Sequence, residues 1–182
     1  MRKLFFFLII LTHQAYTTTY FLEPLNFDAQ ISIKNEENAI SEGSISFREG
    51  SFIYTTNKPY NQKIFSKNGR FLVQDDDFKQ VIIYENNHSF FLQDLLNNKY
   101  PTKEVSCPNT CFKLNPEQDS TFKEALISLN EEIIDWIRLI DMKGERIFIK
   151  FENFKFESSN ITYVIPQNYE IINNDWYRTF KK

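Results

Sequence analysis

Residues 43–84 read GSISFREGSFIYTTNKPYNQKIFSKNGRFLVQDDDFKQVIIY, and this stretch decides the fold. Ile45 and Phe47 alternate with serines and an arginine, and Phe52 and Tyr54 continue the period. A period of two puts one set of side chains on one side of an extended strand and their neighbours on the other. Val81 to Tyr84 is a continuous β-branched run ending in Tyr. Asn68-Gly69 carries the residues that tolerate φ > 0 in a two-residue hairpin turn. Asp75-Asp76-Asp77, between Phe71-Leu72-Val73 and Val81-Ile82-Ile83, reads as another hairpin. Short turns join antiparallel neighbours, so the stretch predicts a meander.

The same period runs outward from it. Ile31 and Ile33 alternate with polar residues upstream. Downstream, Ile134, Trp136 and Ile140 share one parity, and Ile133, Ile137 and Leu139 the other. Ile147, Ile149 and Phe151 alternate with Arg146, Phe148 and Lys150, after a Lys143-Gly144 turn. Ile161, Tyr163 and Ile165 close the series before Pro166. One segment differs. In Ser89-Phe90-Phe91-Leu92-Gln93-Asp94-Leu95-Leu96 the apolar residues cluster on one side of a helical period, with Ser89 placed to cap the N-terminus.

Met1-Arg2-Lys3 followed by Leu4 to Leu11 has the layout of a secretory signal peptide, a basic start and then a short apolar run. That run is too short for a membrane span, which takes about 20 apolar residues. Residues 1–18 are therefore expected to be a leader, with cleavage near Ala15 or among Thr17 to Thr19, and residues 19–182 to be a single domain. No cysteine follows the apolar run, so no lipid anchor is expected, and the exported product is expected to be soluble. The chain of 182 residues is mildly acidic at a formal −3, with no basic stripe, which argues against nucleic acid. Nineteen Phe against four Gly give a surplus of large apolar side chains.

Cys107 and Cys111 could close a short-loop disulfide in an oxidising compartment or remain thiols. With His88 as the one histidine beyond the leader, they cannot make up the four ligands of a zinc site. The Asp75–Asp77 run lacks the spacing of a calcium loop and reads as a solvated turn. No nucleophile elbow, metalloprotease motif, P-loop or dinucleotide fingerprint occurs, so no enzyme, no metal and no cofactor are expected. Asn87-His88-Ser89 and Asn160-Ile161-Thr162 match the glycosylation pattern by chance in an Asn-rich chain.

Residues 43–84 carry a more specific signal. Gly43, Arg48 at a strand end, the aromatic strand with Phe52 and Tyr54, Pro59-Tyr60-Asn61-Gln62, the hairpin of Ser66 to Gly69, the acidic turn Asp75–Asp77 and Gln80-Val81 follow one another in fixed order. This pattern resembles the LolA family of periplasmic carriers of outer-membrane lipoproteins. Weaker likenesses continue through the apolar helix Ser89 to Leu96, the segment Phe112 to Pro116, the Asp141-Met142-Lys143-Gly144 hairpin and a closing strand over Phe156 to Ile172. The chain differs at Arg48-Glu49, where the family usually has Arg-Pro, and in lacking the long first helix before Phe27.

The resemblance implies a mainly β fold with a short α lid: a curved, incomplete antiparallel β-barrel covering an apolar cavity. It implies a monomeric periplasmic chaperone that accepts acylated lipoproteins from an inner-membrane ABC release complex (LolCDE-like). It would deliver them to an outer-membrane lipoprotein receptor (LolB-like). Acyl-chain contacts would fall on Phe52, Tyr54, Ile64, Leu72, Phe90, Leu92, Leu95, Leu96 and Trp136. Arg48 would latch the lid through its backbone carbonyls, a task suited to a planar group with several donors. A sensor or receptor module on the same fold, binding lipid or peptide without transport, is the alternative.

Overall fold

The computed structural model describes residues 25–37, 40–48, 50–67, 70–84, 91–97, 100–116, 122–157 and 160–174. The expected leader, the Asn68-Gly69 turn, Ser89, Phe90 and residues 175–182 lie outside them. The strands in chain order are β1 (Asn26–Lys34), β2 (Ile40–Arg48), β3 (Ser51–Lys58), β4 (Gln62–Lys67), β5 (Arg70–Asp75) and β6 (Gln80–Tyr84). Helix α1 (Phe91–Leu96) follows. Then come β7 (Thr102–Ser106), β8 (Thr110–Leu114), β9 (Phe122–Asn130), β10 (Ile133–Asp141), β11 (Arg146–Phe156) and β12 (Glu170–Asn174).

All twelve strands form one sheet in the order β12-β6-β5-β4-β3-β2-β1-β11-β10-β9-β8-β7. β12 and β7 stand at its two edges, so the sheet is open and not closed into a barrel. The mainly β, incomplete antiparallel architecture expected from the sequence is the one observed, without a rolled-up sheet.

The turns explain the meander. In the β10–β11 turn, Asp141 Oδ1 accepts from the backbone N–H of Lys143 at 2.9 Å and of Glu145 at 2.8 Å, while Gly144 adopts a φ of 94°. That left-handed position is one that glycine occupies without steric cost. In the β5–β6 turn, Asp75 Oδ1 accepts from the N–H of Asp77 at 3.0 Å and of Phe78 at 3.1 Å. The aspartate run therefore shapes a turn through its own backbone.

The strand pairings sort side chains onto two faces. Phe27 lies opposite Phe47, Phe47 opposite Phe52, Phe52 opposite Ser66 and Ser66 opposite Phe71. One step along, Ala29, Ile45, Tyr54, Ile64 and Val73 make the next row of the same face. This face continues through Phe151 and Ile149 on β11, Ile137 and Leu139 on β10 and Ile127 and Ala125 on β9. Its buried residues form the main core together with Leu92, Leu95 and Leu96 of α1. Phe27 is its centre, fully buried and stacked on Phe154 at 4.4 Å and Phe47 at 5.8 Å.

The opposite face holds a second, smaller core. Phe65, Leu72, Val81 and Ile83 point there and are covered by Ile161, Tyr163, Ile165 and Tyr169. The closing strand expected around residues 161–165 is not a strand. Ile161 is buried and Tyr163 and Ile165 half-buried, while Thr162 and Val164 are exposed, but the segment joins no ladder. Alternation reports an extended chain with one side against apolar surface, and it says nothing about the backbone partner. The segment crosses the sheet as a strap and allows β12 to pair with β6 in parallel, the exception to the antiparallel order. A parallel pair needs such a crossover, because a tight turn cannot reverse the chain twice.

The two parities in Ile133 to Ile140 also find their cause. Register shifts between Ile134 and Trp136, so Ile134, Ile137 and Leu139 all reach the main core, and Trp136 faces the other way. Strand β9 was not recognised from the sequence. Ala125, Ile127 and Leu129 alternate there, but small Ala125 and buried Ser128 blur the pattern.

Candidate functional site

The helix-bearing face is the candidate site, and it is built from β-branched and aromatic side chains of central strands. Phe52 (1% exposed), Tyr54 (3%), Leu92 (0%), Leu95 (0%) and Leu96 (2%) are packed together in it. Ile64 lies half-buried against the same cluster. In α1 the leucines at positions i, i+3 and i+4 form one stripe, which is the stripe that meets the sheet. Burying each such side chain contributes about 1.5–3 kcal/mol.

Two of the residues assigned to this site lie elsewhere. Leu72 pairs with Phe65 and Ile83 and belongs to the core on the opposite face. Its immediate neighbours Phe71 and Val73 are the ones that face α1. Trp136 pairs with Lys150, which pairs with Ser32, on that same opposite face. There it packs near Phe148 with the Arg138 guanidinium 4.6 Å over its ring. In both cases the apolar residue was assigned by type, whereas the face is set by register, and one residue of slip reverses it.

Gln93 makes polar ties from α1 to neighbouring residues. Its Nε2 donates to the Gly50 carbonyl at 2.6 Å, and its Oε1 accepts from Ser66 Oγ at 2.7 Å. The sequence offered no signal for this role, since a single glutamine on an apolar helix reads as its solvated side.

Arg48 is buried at 8% exposure. Its guanidinium donates to the carbonyls of Phe27 at 2.5 Å and Phe47 at 2.7 Å, and to Asp28 Oδ1 at 2.8 Å. These bonds join the ends of β1 and β2 beneath the helix. These three bonds clamp one strand to the next, whereas the latch expected of Arg48 runs to helix carbonyls.

Tyr54 carries a polar group into the apolar face. Its hydroxyl lies 2.8 Å from Ser41 Oγ. Burial pushes its pKa above the ordinary value, and the Ser41 hydrogen bond opposes this in part. The phenol therefore stays neutral at physiological pH. Cys107 and Cys111 are joined as a disulfide across the tip of the β7–β8 hairpin, with Cα atoms 6.0 Å apart. Among the described residues no cluster of three or more His, Cys, Asp or Glu could hold a metal ion. Likewise, among them no helix is long and apolar enough to cross a membrane.

No family model matches this chain. No curated protein matches it either. Solved structures do. The chain is similar to an uncharacterised conserved protein from Thermus thermophilus, with a TM-score of 0.56 at 12% identity, over 83% of this chain and 91% of that one. It is also similar to a LolA superfamily protein from Nitrosomonas europaea, with a TM-score of 0.43 at 11% identity, over 77% of this chain and 90% of that one. At these identities the likeness concerns the fold.

Proposed function

We propose that this chain is a LolA-like carrier that takes acylated lipoproteins across the periplasm, receiving them from an inner-membrane ABC release complex and handing them to an outer-membrane receptor. The observation that carries the proposal is the helix-bearing face. An apolar surface runs across the central strands under a six-residue helix that lays three leucines on it and makes the Gln93 hydrogen bonds. The order of motifs over residues 43–84 supports the same reading.

The physical requirement is simple. Each exposed CH₂ costs about 0.8 kcal/mol, so an acyl chain in water costs on the order of 10 kcal/mol. A carrier must offer an equivalent apolar surface and keep it covered when empty. Here α1 is the cover, and acyl chains would replace Leu92, Leu95 and Leu96 against Phe52, Tyr54 and Ile64. Exchange of one apolar contact for another costs little, which allows reversible loading. The role requires no chemistry of the protein's own. Handover then runs down a gradient of affinity, because a ligand moves only toward the state that binds it better.

The test is release of a triacylated lipoprotein from spheroplasts by the purified chain. A soluble one-to-one complex is the expected result; lipoprotein that stays with the membrane fraction would refute the carrier role. Binding of free lipid without release would favour a sensor on the same fold.

A further inference from the structure

On the face opposite α1, a groove of about 640 Å³ runs over the middle of the sheet, across β11, β1, β2 and β3. Gln30, Ser32, Ser44, Thr55, Asn57 and Glu152 line it. We propose that this groove is a binding site for a neutral saccharide.

The groove is shaped by two irregularities, one on each side. On β3, Glu42 pairs with Lys58 and Gly43 with Thr56, which leaves Asn57 as an extra, unopposed residue. Gly43 is required there, since a Cβ would lie 2.0 Å from the Thr55 carbonyl oxygen. On β11, Asn153 and Phe154 together oppose Ala29. Asn153 takes a φ of 52° and donates from Nδ2 to Gln30 Oε1 at 2.9 Å, while Phe154 turns into the main core. Bulges of this kind bend a strand, increase its twist and re-aim side chains, and they are over-represented beside binding sites. Two of them bracket one groove; one adds Asn57 to its lining and the other holds the lining residue Gln30 through Asn153, which sets it apart from an ordinary solvated sheet face.

The lining selects the ligand. Its charged members are Lys34, Glu42 and Glu152, and Glu42 is paired with Lys58 at 2.9 Å. A single lysine beside two carboxylates disfavours phosphate. An acyl chain finds no apolar floor, because Ile31, the apolar lining residue, directs its side chain to the main core. A peptide cannot add as a strand, since each of the four strands is paired on both sides. Amides, hydroxyls and a carboxylate offer donors and acceptors side by side, which suits adjacent hydroxyls of a sugar.

The test is titration of the ¹⁵N-labelled chain with maltotetraose and, separately, with chitotetraose, followed by amide shifts. Saturable shifts confined to the groove strands are expected with at least one sugar, at a Kd on the order of 1 mM. Asn57→Ala and Glu152→Gln should each weaken binding about fivefold by removing one hydrogen bond. Ser44→Tyr, at an exposed position, should block the groove while leaving the spectrum folded. The absence of saturable shifts with both sugars, or equal affinity in all three variants, would overturn the proposal. Acyl-chain transfer is expected unchanged in these variants, because the groove and α1 lie on opposite faces.

Discussion

Two apolar patches lie back to back on this sheet, and they are covered by different means. On one face a helix presents three leucines and is tied down by Gln93. On the other an extended strap lays Ile161, Tyr163 and Ile165 on Phe65, Leu72, Val81 and Ile83. The strap is held through a polar chain: Tyr163 Oη donates to Gln74 Oε1 at 2.9 Å, Gln74 Nε2 to Asp76 Oδ1 at 2.5 Å, and Tyr169 Oη to Asp76 Oδ1 at 2.8 Å. It also runs directly into β12, which is anchored to β6. A cover that continues into the sheet cannot leave without breaking a strand pair. Helix α1 belongs to no ladder, so displacing it breaks no strand pair. The strap is thus tied into the sheet's ladder and α1 is not, and a movable α1 is what the proposed carrier role requires.

The largest expected effect tests the two cores. Phe27→Ala removes a fully buried ring that stacks on two others and should cost about 3–5 kcal/mol in urea unfolding. Phe65→Ala, at 9% exposure and stacked on Tyr163 alone among the described rings, should cost nearer 3 kcal/mol. Equal losses would show that the smaller core matters as much as the main one.

A smaller effect separates the two covers. Gln93→Ala should cost about 1 kcal/mol and speed hydrogen exchange in α1 alone, with no change at residues 161–169. Tyr163→Phe should produce the converse pattern. Exchange that rises in both places in either variant would mean the covers are coupled.

The smallest effect concerns alkaline pH. Burial first, and then the nearby Asp76 charge, raise the pKa of Tyr163; for Tyr169 the Asp76 hydrogen bond is the leading cause. A folded pKa above the unfolded value gives stability that is complete below about pH 10 and is lost as pH rises through the folded pKa. Stability should therefore fall above that point. The fall should be shallower with Tyr163→Phe and Tyr169→Phe together, whereas an unchanged slope would place the titration at other groups, such as Tyr54.

Much of this architecture was legible in the sequence. Alternation around Ile45, Phe52 and Ile149 located strands, and Asp75 and Lys143-Gly144 located turns, because each signal is local. Leu72, Trp136 and the strap were misread because register and backbone partners depend on residues far along the chain. A bulge in β10 carried Trp136 to the opposite face, and no local pattern announces it. The Gln93 tie was invisible for the same reason, since its partners Gly50 and Ser66 are 43 and 27 residues away.

The lid role proposed for α1 is tested most directly by locking the helix. With Gln93→Cys and Ser66→Cys joined by a short bismaleimide, and the native Cys107–Cys111 disulfide left oxidised, α1 cannot leave the sheet. The account predicts that the cross-linked protein stays folded but releases no lipoprotein from spheroplasts, while each single-cysteine variant treated with the same reagent does. Release by the cross-linked protein equal to that of the controls would contradict it.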